Sequence, residues 1–135
     1  MHIVQARLYF IDILKAIFYC HKVAKVIHRD IKPANILINH NNEAALIDFG
    51  VSAIVDHQDD DSLYNVNGSL LYYAPEMFSK RDDNKIHIRG EKTDIWALGI
   101  TLFYMISGRT PFDGAKSAFE LRDLIVDDDI NFDLI

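Results

Sequence analysis

At 135 residues the chain has room for one small domain or for part of a larger one. Apolar residues make up 50% and charged residues 25%, which is too apolar for disorder, and a formal net charge of −6 disfavours a nucleic-acid-binding role. The single cysteine, Cys20, excludes a disulfide framework and a thiolate metal cluster, and in its apolar helical context it reads as a small core residue. The first ten residues lack the pattern of a signal peptide, and the longest uncharged apolar stretch, Ile95 to Gly108, is too short to span a bilayer. The expected setting is therefore reducing and cytoplasmic.

In chain order, Ile3 to about Lys25 has helical periodicity, with Val4, Leu8, Ile11, Leu14 (or Lys15), Ile17 and Phe18 on the apolar face and Asp12 and Lys15 on the wet one. Val23 to Ile27 then leads into His28. Ile36-Leu37-Ile38 and Ala44-Ala45-Leu46-Ile47 are apolar runs of strand length around a turn-forming stretch, Asn39 to Glu43, and predict a hairpin. Val51 to Tyr73 has no sustained periodicity and reads as a functional or mobile segment. A short helix begins at Met77-Phe78, and Ser79 to Lys92 reads as a polar surface connection. Thr93 is the expected N-cap of a helix from Asp94 to about Ser107, apolar nearly all round and so suited to the centre of a larger domain, with Gly108 as its stop. A last amphipathic helix covers roughly Ser117 to Val126, and the runs Asp59–Asp61 and Asp127–Asp129 read as solvated loops.

The hairpin is where chemistry gathers. Opposed positions on paired strands lie about 5 Å apart, so the residues just outside the open end, Asn35 and Asp48, are expected to be close enough for an amide oxygen and a carboxylate to serve one cation. Asp30 and Lys32 lie just upstream on the same loop. A carboxylate, an ammonium, an amide and a second carboxylate at one edge describe a phosphate-and-metal site.

The stretch His28-Arg29-Asp30-Ile31-Lys32-Pro33-Ala34-Asn35, followed in order by Asp48-Phe49-Gly50, Gly68-Ser69, Ala74-Pro75-Glu76 and Asp94-Ile95-Trp96-Ala97-Leu98-Gly99, resembles the eukaryotic protein kinases, and Lys32 followed by Pro33 resembles their serine/threonine type. Any one of these motifs is weak alone; their order and spacing over nearly the whole chain carry the resemblance. It implies an α+β fold, the mainly helical large lobe of a kinase, with a short hairpin carrying the catalytic loop (28–35), an activation segment (48–76) and a central helix (about 94–107), residues 1–135 being a partial kinase domain. It implies ATP and Mg2+ as cofactors and a protein with a Ser/Thr hydroxyl as substrate. Asp30 then corresponds to the catalytic base, Lys32 to the lysine on the transferring phosphate, and Asn35 and Asp48 to the magnesium ligands. Leu37 corresponds to the residue beneath the adenine, His28 and Phe49 to stacking residues under the site, Asp94 to the buried aspartate that holds the catalytic loop, and Ser69 to the hydroxyl touching base and lysine. Gly68 and Glu76 would support the peptide-binding segment.

The chain departs from the family pattern in having no glycine-rich phosphate loop, no lysine strand of a small lobe and no helix with its glutamate partner, and it stops before the last large-lobe helices. The isolated chain is accordingly expected to be marginally stable and to have little or no kinase activity. Arg29 beside Asp30 resembles kinases whose activation segment is held by a phosphate; Ser62 is the leading candidate, Tyr64 the next, and Asp59–Asp61 could hold Arg29 without one. Within the family, DFGVS and TLFYMISGRTPF are most similar to calcium/calmodulin-dependent kinase kinases, which implies an upstream kinase or a calmodulin-type regulator as partner. The competing reading is a non-catalytic binding module or gene fragment that keeps the motifs.

Overall fold

A computed structural model of the chain describes residues 1–55, 62–63, 65–78 and 88–134. Helix α1 (Ile3–Tyr19) opens on His2, whose ring nitrogen accepts from Val4 N at 3.3 Å, and widens into a π-helical turn over Cys20–Ala24 that ends at left-handed Lys25. Its buried face is Ala6, Ile13, Ile17 and Cys20, with Phe10 packed against the same core, a 3–4 spacing one side of the helix away from the expected stripe. Of that stripe only Ile17 is in the core. Val4, Leu8, Leu14 and Phe18 are 42–64% exposed. The helix is apolar on two sides, and α2 and the hairpin pack on the side where small Ala6 permits close approach. Asp12 is also not simply wet: its carboxylate accepts from Ala44 N at 3.2 Å, while Tyr9 donates to Asn42 at 2.5 Å, so α1 braces the hairpin.

That hairpin pairs β2 (Ile36–Ile38) with β3 (Ala44–Leu46) in antiparallel register, Leu37 opposite Ala45. Its turn closes because the Asn39 side-chain oxygen accepts from both Asn41 N and Glu43 N, with Asn42 in left-handed backbone. Two further pairings use strands of two residues each, too short to leave a pattern: Val26–Ile27 (β1, before the hairpin) with Ala53–Ile54 (β4), and Ser62–Leu63 (β5) with Ile88–Arg89 (β6). Ile88 is buried, so this end of the expected polar connection is structural. Residues 79–87 of that connection, Tyr64 and the Asp59–Asp61 triplet lie outside the described residues.

The central helix, α2 (Gly90–Ser107), begins four residues before the sequence suggests. Thr93 is not its cap; it sits in the first turn, buried, and its hydroxyl donates to Gly90 O at 2.9 Å. Gly108 does end the helix, at φ 80° with its N–H on Tyr104 O at 2.8 Å. One side of α2 meets α1 and the hairpin through Ala97, Leu98 and Met105. The other side meets Phe112 and helix α3 (Ala118–Val126, capped by Ser117) through Ile100, Leu121 and Ile125. Burying each such aliphatic side chain contributes roughly 2 kcal/mol, so α2 is the spine to which both flanks are tied. None of the described helices is long and apolar enough to cross a membrane.

Candidate active site

The site is built on one buried carboxylate. Asp94, 1% exposed on α2, accepts His28 N at 2.9 Å, Arg29 N at 2.8 Å and the His21 ring at 2.7 Å. A buried carboxylate is tolerated only when its oxygens are satisfied, and the donors here are the backbone of the loop that follows β1. Arg29 is thereby held at φ 72°, an unusual conformation for a side-chain-bearing residue. His28 lies fully buried beneath; its Nε2 donates to Ile47 O at 3.0 Å, its Nδ1 accepts Asp30 N at 3.3 Å, and its ring meets the Phe49 ring edge-on at 4.7 Å.

With the loop fixed, Asp30 becomes the hub. Its Oδ2 accepts from Lys32 Nζ at 2.8 Å and Asn35 Nδ2 at 3.0 Å, and its Oδ1 accepts from the Ser69 hydroxyl at 2.8 Å. Ser69 in turn accepts from Lys32 Nζ at 2.7 Å, closing a ring of three groups. Burial pushes the Asp30 carboxyl up, but the hydrogen bonds from Lys32, Ser69 and Asn35, with the charge of Lys32, outweigh it and leave the group below its ordinary value. Asp30 is therefore ionised at neutral pH.

Asn35 is buried, and its Nδ2 also donates to Asp30 O at 2.7 Å, which leaves its Oδ1 as an acceptor. Directly across the hairpin from it is Ile47, whose N–H donates to Asn35 O at 2.9 Å; Asp48 is one residue further on, at φ 63°. The expected direct opposition of Asn35 and Asp48 is thus displaced by one residue. Asp48 is exposed, and its Oδ1 accepts Gly50 N at 3.2 Å. Leu37 points its apolar side chain outward from β2, 56% exposed.

The remaining candidates separate. Ser69 joins the hub, whereas Ser62 lies in β5 opposite Arg89. The Arg29 guanidinium is taken by Asn65, through its side-chain oxygen at 2.6 Å and its carbonyl at 3.2 Å. Neither Asn65 nor His21 emerges from the sequence: an asparagine in a turn-rich segment and a histidine on an apolar helix are commonplace. The available signal for Asn65 is indirect, since a loop arginine beside a catalytic-type aspartate needs an acceptor.

Residues 1–131 match the protein kinase domain family. The chain belongs to that family, and its helices and small sheets are those of a kinase-like fold. Over 135 residues it is 40% identical to the serine/threonine-protein kinase ssp1 of Schizosaccharomyces pombe, covering 97% of this chain and 20% of that one. It is 39% identical over 112 residues to CBL-interacting protein kinase 15 of Oryza sativa subsp. japonica (82% and 24%), and 37% identical over 110 residues to the probable serine/threonine-protein kinase MARK-A of Dictyostelium discoideum (82% and 10%). These relatives place it with the serine/threonine protein kinases, and the chain spans a quarter or less of their length.

Proposed function

We propose that the chain supplies the catalytic floor of a serine/threonine protein kinase, the large-lobe part of the domain, acting on ATP and a protein hydroxyl. The observation that carries this is the convergence of Lys32, Asn35 and Ser69 on the Asp30 carboxylate, since a module that only binds has no need of an ionised carboxylate held beside a phosphate-seeking ammonium. Asp30 orients the acceptor hydroxyl and receives its proton as the new O–P bond forms to the γ-phosphorus and the bond to the β-bridging oxygen breaks, releasing ADP. Lys32 neutralises charge on the transferring group. Leu37 offers the apolar surface under the adenine.

Asn35 Oδ1 and the Asp48 carboxylate are the donors that would hold magnesium. One amide and one carboxylate oxygen fit a hard ion that takes its remaining ligands from phosphate and water, and among the described residues there is no cluster of three His, Cys, Asp or Glu that would favour another metal. The bound ion would neutralise charge between the β- and γ-phosphates. A cytoplasmic setting is consistent with the one buried thiol, Cys20, and the name of the rice relative supports a protein regulator as partner, of calmodulin type in our reading.

Transfer of phosphate from ATP to serine or threonine by the full-length protein, lost in Asp30→Asn and Asp48→Asn, is the expected result. Transfer that survives both substitutions, or a preference for tyrosine, would overturn the proposal. The 135 residues alone are expected to transfer little, because they hold no glycine-rich loop over the nucleotide's second face.

A further inference from the structure

We infer that Asn65 is a positioning residue: by occupying the Arg29 guanidinium it docks the activation segment on the catalytic loop where a phosphate would otherwise be needed, so that this segment is held without phosphorylation. The inference rests on the kinase reading and adds its mode of control.

The contacts run along five consecutive residues. Asn65 takes Arg29 Nη2 through Oδ1 at 2.6 Å and through its carbonyl at 3.2 Å. The Asn67 amide, oriented to satisfy both its ends, accepts from the same Nη2 and donates to Val66 O at 3.2 Å. Gly68 follows at φ 109°, and its backbone lies so close to the catalytic loop that a Cβ would overlap the Arg29 carbonyl oxygen. Ser69 then reaches Asp30 and Lys32. The segment thus spans from the arginine to the catalytic carboxylate, and Asn65 is its outer anchor.

Two features argue against a phosphate at this place. The cleft lined by Arg29, Asp30, Asn65, Asn67, Ser69 and Tyr73 encloses about 10 Å³, room for no more than a water. An asparagine has no hydroxyl to phosphorylate, and Ser62 lies three residues away, in β5 opposite Arg89. An amide oxygen binds a guanidinium less strongly than a phosphate does, but it is always present. Its neutral acceptor also makes the anchor less sensitive to salt than an arginine–phosphate pair.

Hydrogen exchange on the 135-residue chain, and phosphotransfer by the full-length protein before and after phosphatase, test this. Asn65→Ala is expected to speed amide exchange over residues 65–69 and to lower kcat about fivefold with KM for ATP unchanged. Asn65→Asp, which keeps an oxygen on Arg29, is expected to restore most of both, and phosphatase is expected to leave the wild type unchanged. Loss of activity on phosphatase treatment, or Asn65→Ala matching wild type in exchange and rate, would overturn the inference. If the full-length protein transfers no phosphate at all, the kinase reading fails, and the exchange comparison still decides whether Asn65 holds the segment.

Discussion

The Asp94 carboxylate accepts the backbone N–H of His28 at 2.9 Å across 66 residues of sequence, and of Arg29 at 2.8 Å beside it. A rigid, buried helix thereby sets the conformation of a loop whose next residue is the hub of the site. The third donor, His21, comes from the π-helical turn after α1, so Asp94 ties both long elements to the loop at one point.

Asp94→Ala strands three donors, two of them on buried histidines, and is expected to destabilise the chain by about 3 kcal/mol. Asp94→Asn keeps an oxygen and should cost about half of that. Urea denaturation of the purified variants measures both. A loss under half a kilocalorie for the alanine variant would mean that Asp94 does no more than sit near a helix start.

The two sides of α1 make opposite predictions. Ile13 is fully buried, and Ile13→Ala should cost between about 2 and 5 kcal/mol through lost transfer energy and the cavity left behind. Leu8→Ala, at a position 50% exposed, should change stability by about 0.5 kcal/mol or less. A reversed order would restore the stripe that periodicity suggests and contradict the packing.

How much of this was legible in the sequence depended on the signal available at each residue. The hairpin was legible because Asn39 to Glu43 is turn chemistry between two apolar runs, and the site followed because Asp30, Lys32 and Asn35 share one short loop. The face of α1 was not: Val4, Leu8 and Phe18 have the same helical spacing as Ala6, Phe10, Ile13 and Ile17, and only tertiary packing chooses between them. The start of α2 is hidden in the sequence because Gly90 is a poor helix former and Thr93 a good cap, yet β6 delivers the chain at Arg89 directly into the helix. Strands of two residues, as in β1, β4, β5 and β6, carry no periodicity to read.

Asp30 gives a pH prediction. Its carboxyl is held below its ordinary value in the folded chain, so as pH falls the unfolded chain takes up the proton first, near pH 3.9. The stability it contributes is complete above about pH 5 and is lost as pH drops through the folded value. The difference in stability between wild type and Asp30→Asn should therefore be constant from about pH 7 to 5 and change only below about 5. Acid titration followed by circular dichroism tests this; a difference that changes between pH 5 and 7 would show that the Lys32, Ser69 and Asn35 contacts do not hold the ionised form.

Gly68 and Gly108 both have positive φ but differ in surroundings. Nothing lies within 4 Å of a Cβ built on Gly108, so Gly108→Ala costs only backbone strain, about 1 kcal/mol. At Gly68 the same strain is joined by overlap with the Arg29 carbonyl, and relief requires the segment to lift away from the loop that carries Arg29 and Asp30. Gly68→Ala should therefore break the Ser69 hydrogen bonds to Asp30 and Lys32, speed exchange over residues 65–69 and lower phosphotransfer, while Gly108→Ala lowers the melting temperature alone. Equal effects of the two substitutions on the segment would mean that the close approach of Gly68 has no part in holding it.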